Sequence, residues 1–216
     1  MAIIRERARV LRFMPLAAAV GLIAAAAAVR ADEADAPSRA YAQRLALTVC
    51  GTCHGKTGNS AQPKFPRLAG QNANYLAAQL KAFRSQTRGD PDAIGYMWGM
   101  ASQLDDATIE ALAAYYAAQQ AQPSASAGSA EASRGKEIYE RGVAAQGVPA
   151  CSSCHGPDAH GLQDFPRLAG QHAQYVLKQL GSFQSNMRNV AIMHGVAQNL
   201  NLNDMDAVAA FLEAQP

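Results

Sequence analysis

The sequence predicts an all-α fold built from one small helical unit written twice. Three observations carry this: an internal repeat at a spacing of about one hundred residues, apolar stripes at helical spacing in both copies, and no alternating pattern of useful length for strands.

The repeat is explicit. Cys50-Gly-Thr-Cys53-His54-Gly55 matches Cys151-Ser-Ser-Cys154-His155-Gly156 at an offset of 101, and FPRLAGQ from Phe65 to Gln71 recurs identically from Phe165 to Gln171. Ala73, Tyr75, Gln79, Leu80 and Phe83 have identical partners at Ala173, Tyr175, Gln179, Leu180 and Phe183. A third block, Met97 to Leu104, aligns with Met193 to Leu200 at an offset of 96. Both copies therefore run CxxCH, FPRLAGQ, helix, Met, helix.

The apolar spacing places the helices. An opening helix precedes each CxxCH, from Ser38 to Val49 and from Arg134 to Arg141, with a Gly- and Pro-containing loop before Cys151. Leu76, Leu80 and Phe83, like Val176, Leu180 and Phe183, give a middle helix one apolar face. Ile109, Leu112, Ala113 and Tyr116 form the stripe of a final helix, matched by Met205, Val208, Ala209 and Leu212. Asp105 and Asn201 stand where an N-cap belongs.

The first thirty residues differ from the rest. A basic leader with Arg5, Arg7, Arg9 and Arg12 precedes an alanine-rich apolar run from Phe13 to Val29, the pattern of a secretory signal peptide ending near Ala31. A retained membrane anchor is the competing reading, although the run is at the short end of the roughly 17 to 25 residues a span needs. The expected division is 1–31 signal peptide, 32–118 first unit, 119–133 a Ser-, Ala- and Gly-rich linker, and 134–216 second unit.

Removing the leader changes the charge argument. The whole chain carries a formal +2, and loss of five Arg and one Glu leaves 14 basic and 16 acidic residues, a formal −2. The pI of 8.4 therefore belongs to the leader. With no Lys/Arg stripe interleaved with aromatics, nucleic acid is not an expected partner.

Export would bring four cysteines into an oxidising compartment, but their spacing is not that of disulfides. Covalent attachment of haem needs two thiols that reach the vinyl groups on one porphyrin edge and a histidine placed for the iron, and CxxCH meets that need. A redox dithiol would not explain a His directly after both pairs. Zinc would have to join cysteines from separate repeats. A haem would also fill the core of a three-helix unit too small to bury much apolar surface alone.

An iron that only carries electrons needs a sixth ligand, and Met opposite His is the arrangement of electron-transfer cytochromes. Of Met97, Met100, Met187, Met193 and Met205, the repeat selects Met97 and Met193. Met100 faces Val196 and is the alternative to Met97, while Met205 reads as a core residue of the final helix. His160, His172 and His194 have no counterparts and read as surface or propionate-side residues.

With CxxCHG, FPRLAGQ and MxGxxxxL each present twice, the chain closely resembles the cytochrome c4 family over nearly all of residues 37 to 216. The resemblance implies a tandem pair of class I cytochrome c domains, exported to the periplasm, each a small helical bundle around a covalently bound haem. It makes Cys50 and Cys53 the attachments of the first of two haem c groups, with His54 and Met97 as its axial ligands. Cys151, Cys154, His155 and Met193 take the same roles for the second. It also puts the carbonyls of Pro66 and Pro166 against the axial histidines, a bond that fixes the ring and tunes its basicity. Arg67 and Arg167 become candidates for the haem propionates or remain exposed arginines.

The expected function is electron transfer between redox proteins of a respiratory chain, such as a cytochrome bc1-type complex or a terminal oxidase. Peripheral association with a membrane is compatible with this, and the oligomeric state is not set by the sequence. Two alternatives are a dedicated cytochrome subunit of a dehydrogenase or oxidase, and a di-haem peroxidase, which would need one open iron position. The segment between Phe83 and Met97 is four residues longer than that between Phe183 and Met193, so the two haem environments are expected to differ.

Overall fold

The computed structural model describes residues 38–123 and 129–216; the expected signal peptide and the middle of the linker lie outside them. Each repeat begins with a helix that leads toward its CxxCH. In the first, α1 (38–45) passes through a π-helical turn, Ala46–Cys50, directly into α2 (Gly51–His54). Then come α3 (Ala73–Arg84), a second π-helical turn Ala93–Met97, α4 (Trp98–Ala101) and α5 (Asp106–Ala117). The second repeat has α6 (Ala130–Arg141), α7 (Ser152–His155), α8 (Ala173–Gln184), α9 (Ala191–Ala197) and α10 (Leu202–Ala214).

The capping residues act as their types predict. The Asp105 carboxylate accepts from Thr108 N–H at 2.8 Å, and the Asn201 side chain accepts from Asp204 N–H at 2.9 Å. α6 starts four residues ahead of the expected Arg134, because Ser129 caps it through Ala132 N–H at 3.1 Å and the Ala-containing stretch that follows sustains a helical turn. Between α6 and α7 the extra loop folds on a 3-10 turn, Ala144–Gln146, closed by an isolated antiparallel bridge between Val143 and Val148. Among the described residues there is no strand.

The final helix of each repeat supplies the core. α5 buries Ile109, Leu112, Ala113 and Tyr116 against Ala42 and Ala46 of the opening segment. α10 buries Met205, Val208, Ala209 and Leu212 against Ile138 and Tyr139 of α6. The α6–α10 crossing is so close that a Cβ on Gly135 would stand 1.9 Å from the carbonyl oxygen of Ala207. Glycine is required there by contact, not by backbone conformation.

FPRLAGQ joins the repeats. The Gln171 side chain accepts from Arg67 N–H at 2.9 Å and donates to Arg67 C=O at 2.9 Å, while Gln71 makes the same pair with Arg167, both bonds at 2.8 Å. Lys178 reaches across to Asp92 at 2.9 Å, and Asn74 to Asp164 at 2.9 Å. Residues 38–216 pack as one compact unit. No helix among the described residues is long and apolar enough to cross a membrane.

Candidate functional site

α2 and α7 are single helical turns that end on His54 and His155. The chain leaves each through a glycine in the left-handed region, Gly55 at φ 77° and Gly156 at φ 82°, which folds the following loop back over the histidine. That return brings the carbonyl of Pro66 to 2.9 Å from His54 Nδ1 and that of Pro166 to 3.0 Å from His155 Nδ1. A carbonyl only accepts, so both rings carry their proton on Nδ1 and present Nε2 as a lone-pair donor. Burial lowers the pKa of both histidines, with the carbonyl bonds acting in the opposite direction, which favours the neutral imidazole that binds metal. Phe65 and Phe165 stand edge-on to the two rings, 6.1 and 6.0 Å between centroids.

The four cysteines are half-buried, and no two of them form a disulfide. Burial raises the pKa of Cys50 and pushes Cys151 up to about 11. A redox-active dithiol needs the opposite shift. Among the described residues no three His, Cys, Asp or Glu side chains converge as protein-only metal ligands.

Met97 closes the π-helical turn ahead of α4 and packs with Phe83, Ala93 and Ala101, and Met193 lies in α9 against the second core. Met100 is 60% exposed, Met187 is exposed, and Met205 is buried in the core of the second repeat. The residues singled out by the repeat are brought together by the fold. Cys50, Cys53, His54 and Met97 line one half of a cavity of about 990 Å³, and Cys151, Cys154, His155 and Met193 line the other.

The cavity wall also holds residues that sequence reasoning passed over. Arg88 and Arg188 are buried, and each donates to the tyrosine of the other repeat, Arg88 to Tyr175 at 3.3 Å and Arg188 to Tyr75 at 2.7 Å. Gln79 and Gln179 accept from both arginines at 2.7 to 2.8 Å. The signal was available, since Arg88 and Arg188 align at the same offset of 100 as FPRLAGQ. Arg67 and Arg167, the candidates for the propionates, both line the cavity, and each also donates to a carbonyl, Arg67 to Gln122 at 3.1 Å and Arg167 to Pro216 at 2.7 Å.

His172, expected at the surface or beside a propionate, is buried between the repeats, with Nε2 2.9 Å from Ser60 O and Glu213 beside Nδ1 at 3.6 Å. It fills a position where the interface, not solvent, covers the start of α8. His160 is exposed and contacts Pro216 O at 3.2 Å, and His194 Nδ1 is held 2.8 Å from Phe183 O.

The family model described as cytochrome c matches residues 40–118 and 132–215. A cytochrome c4 from Stutzerimonas stutzeri is 39% identical over 83% of this chain and 90% of its own length. The chain belongs to the cytochrome c4 family. A cytochrome c-552 from Acidithiobacillus ferridurans is 42% identical over 88% of this chain and 81% of its own. The reduced recombinant cytochrome c4 of Pseudomonas stutzeri superimposes with a TM-score of 0.72 at 36% identity, covering 82% of this chain and 97% of that one. The thiosulfate dehydrogenase TsdBA of Marichromatium purpuratum superimposes with a TM-score of 0.73 at 31% identity, covering 82% of this chain and 40% of that one.

As a cytochrome c4, the chain carries two covalently bound haem c groups and serves as an electron carrier, not an enzyme. The residues present fit that group. The cavity is apolar over most of its wall, each half offers two thiols with a neutral imidazole and a thioether, and the side chains of Arg67, Arg88, Arg167 and Arg188 are part of its lining.

Proposed function

We propose that this cytochrome c4 moves electrons through two His/Met-ligated haems, with His54 and Met97 binding the first iron and His155 and Met193 the second. The observation that carries this is the matched pair of Nδ1-to-proline-carbonyl bonds, which directs Nε2 of both histidines to ligation in a cavity that also contains both repeat-selected methionines. When bound, the haem iron supplies reversible one-electron chemistry between its ferrous and ferric states.

The protein's part is to hold and shield. Pro66 and Pro166 orient the imidazoles and raise their basicity as ligands. Cys50, Cys53, Cys151 and Cys154 anchor the porphyrins by thioether bonds. Phe83, Leu80, Phe183 and Leu180 line the cavity and exclude water from it, and a rigid, dry site needs little rearrangement when the charge changes.

The reading further places the mature protein in the periplasm after removal of residues 1–31, exchanging electrons with membrane-bound respiratory partners such as a bc1-type complex or a terminal oxidase. The apolar, Arg-led N-terminus supports export. A second reading, service to one dedicated dehydrogenase, is favoured by the match to TsdBA. Purification of the native protein decides between them: a free carrier elutes alone at moderate ionic strength, whereas a dedicated subunit co-elutes with its dehydrogenase. For the ligand set, carbon monoxide binding is the test. Two Met-closed irons leave the reduced spectrum unchanged, and ready binding at either iron would contradict the assignment.

A further inference from the structure

The two halves of the cavity open beside side chains of opposite charge. Val49, Ile94, Tyr96 and Met100 line the first half yet are 43 to 60% exposed, so they form its rim. Lys64, just ahead of FPRLAGQ, lines the same half and is exposed. Its Nζ donates to Tyr96 OH at 2.5 Å and stands 4.5 Å from the centre of that ring. At the same two places the second repeat has Asp164, exposed and lining the other half of the cavity, and Ile192. The contrast runs through each repeat. Residues 38–89 hold eight Lys and Arg and no Asp or Glu, whereas 129–189 hold six and five. Eight basic and five acidic residues give 38–118 a formal +3, and six and eight give 129–216 a formal −2. The haem propionates, equal in number on each haem, shift both repeats alike and leave the difference in place.

We propose that the rim of the first repeat is the docking surface for an acidic redox protein, with Val49, Ile94, Tyr96 and Met100 as its apolar centre and Lys64 as the charge that orients the partner, and that the second repeat's rim turns such a partner away. The inference rests on the electron-carrier role and on a haem in the first half of the cavity. Exposed apolar side chains gathered around one opening and edged by charge have the composition of a protein interface. An electron carrier has to present that opening to another redox centre. A lipid surface holds none, so the observations favour a protein over a membrane. The sign of the partner follows from complementarity, since long-range attraction speeds encounter and like charge at the rim suppresses the wrong partner. Lys64 and Asp164 occupy equivalent positions with opposite signs, so one acidic surface is drawn to the first opening and repelled by the second.

The test is stopped-flow oxidation of the reduced mature holoprotein at low ionic strength by two probes, a plastocyanin with an acidic patch and the cationic tris(phenanthroline)cobalt(III). The variants are Lys64→Glu and Asp164→Lys, both at exposed side chains that the fold does not need. Lys64→Glu should slow the plastocyanin reaction on the order of tenfold and flatten its salt dependence, without slowing the cobalt reaction. Asp164→Lys should not slow the plastocyanin reaction. A Lys64→Glu rate with plastocyanin within about twofold of the unsubstituted protein's overturns the proposal, as does a larger loss in Asp164→Lys. Equal losses with both oxidants would report a changed driving force at the haem in place of steering, and would overturn it too. Phosphatidylglycerol vesicles that bind the unsubstituted protein but not Lys64→Glu, with the plastocyanin rate unchanged, would assign the rim to lipid. A salt-sensitive dimer in sedimentation velocity, lost in both variants with that rate unchanged, would assign it to a second copy of the chain. The haemochrome spectrum, recorded on the same samples, reports separately on whether the haems are in place.

Discussion

Gln71 and Gln171 each lay a side-chain amide on the backbone of the other repeat's arginine, making four hydrogen bonds of 2.8 to 2.9 Å around one pseudo-twofold point. Each side-chain oxygen also accepts from the amide that follows it, Asn72 N–H at 2.9 Å and His172 N–H at 3.1 Å, so both lone pairs of each carboxamide oxygen are used.

Truncating either glutamine should therefore loosen the union of the repeats. Gln71→Ala strands the N–H and C=O of Arg167 in a part-buried interface and should cost about 1–3 kcal/mol. Denaturant unfolding of the holoprotein checks this, and the cost of the double variant with Gln171→Ala should fall short of the sum, because both act on one interface.

The repeats solve one turn in two ways, and this gives a second prediction. Gly58 at φ 75° and its counterpart Ala159 at φ 56° each turn a carbonyl to the Leu-Ala amides of the FPRLAGQ run. A Cβ on Gly58 would meet Tyr116 Cδ1 at 2.8 Å, whereas Leu212 replaces that tyrosine in the second repeat. Gly58→Ala should destabilise the first repeat by about 1–3 kcal/mol through strain and overpacking. Tyr116→Leu in the same chain should recover part of the loss, read as a rise in unfolding midpoint.

Gly135→Ala should be more damaging. The added methyl would collide with the Ala207 carbonyl and with Phe211 Cβ, both fixed parts of α10. The two helices can only separate, exposing Ile138 and Tyr139. The expected readout is reduced haem incorporation in the second repeat with the first retained, measured as haem per chain.

The pH dependence of stability should carry a contribution from Asp90. Burial alone would raise its pKa, but the Arg88 guanidinium, with further hydrogen bonding from Gln179, holds the carboxyl below the usual aspartate range. A depressed folded-state pKa means that this stabilisation is complete above the unfolded value, about 3.9, and is lost as pH falls through the folded one. Thermal unfolding followed downward from pH 5 should drop less steeply in Asp90→Asn than in the unsubstituted protein.

What could be read in the sequence were features that are local and repeated. CxxCH, Met97 and Met193, the final-helix stripes and the Asp105 and Asn201 caps each depend on spacing within one unit, and the proline carbonyls came with the family resemblance that these motifs carry. What could not be read was how the units meet. Self-alignment showed that Gln71 and Gln171, or Tyr75 and Tyr175, are equivalent, but equivalence says nothing of contact, and the roles of Arg88 and Arg188 arise only when each reaches the opposite tyrosine. His172 reads as a surface or propionate-side residue for the same reason: its burial comes from Ser60 and Glu213, residues 112 and 41 positions away. Arg67 and Arg167 line the cavity as their motif suggests, but the carbonyls of Gln122 and Pro216 that they also reach lie 55 and 49 positions away, beyond any local pattern.

The central claim is that each chain holds two covalent haems, each closed by its own methionine. The most direct measurement is haemochrome stoichiometry of the mature protein, together with the Met-sulfur-to-ferric-iron absorption band in Met97→Ala, Met193→Ala and the double variant. Two haems per chain, a band reduced by each single substitution and abolished by both, is the predicted result. Any other stoichiometry, or a band that survives the double substitution, would contradict it.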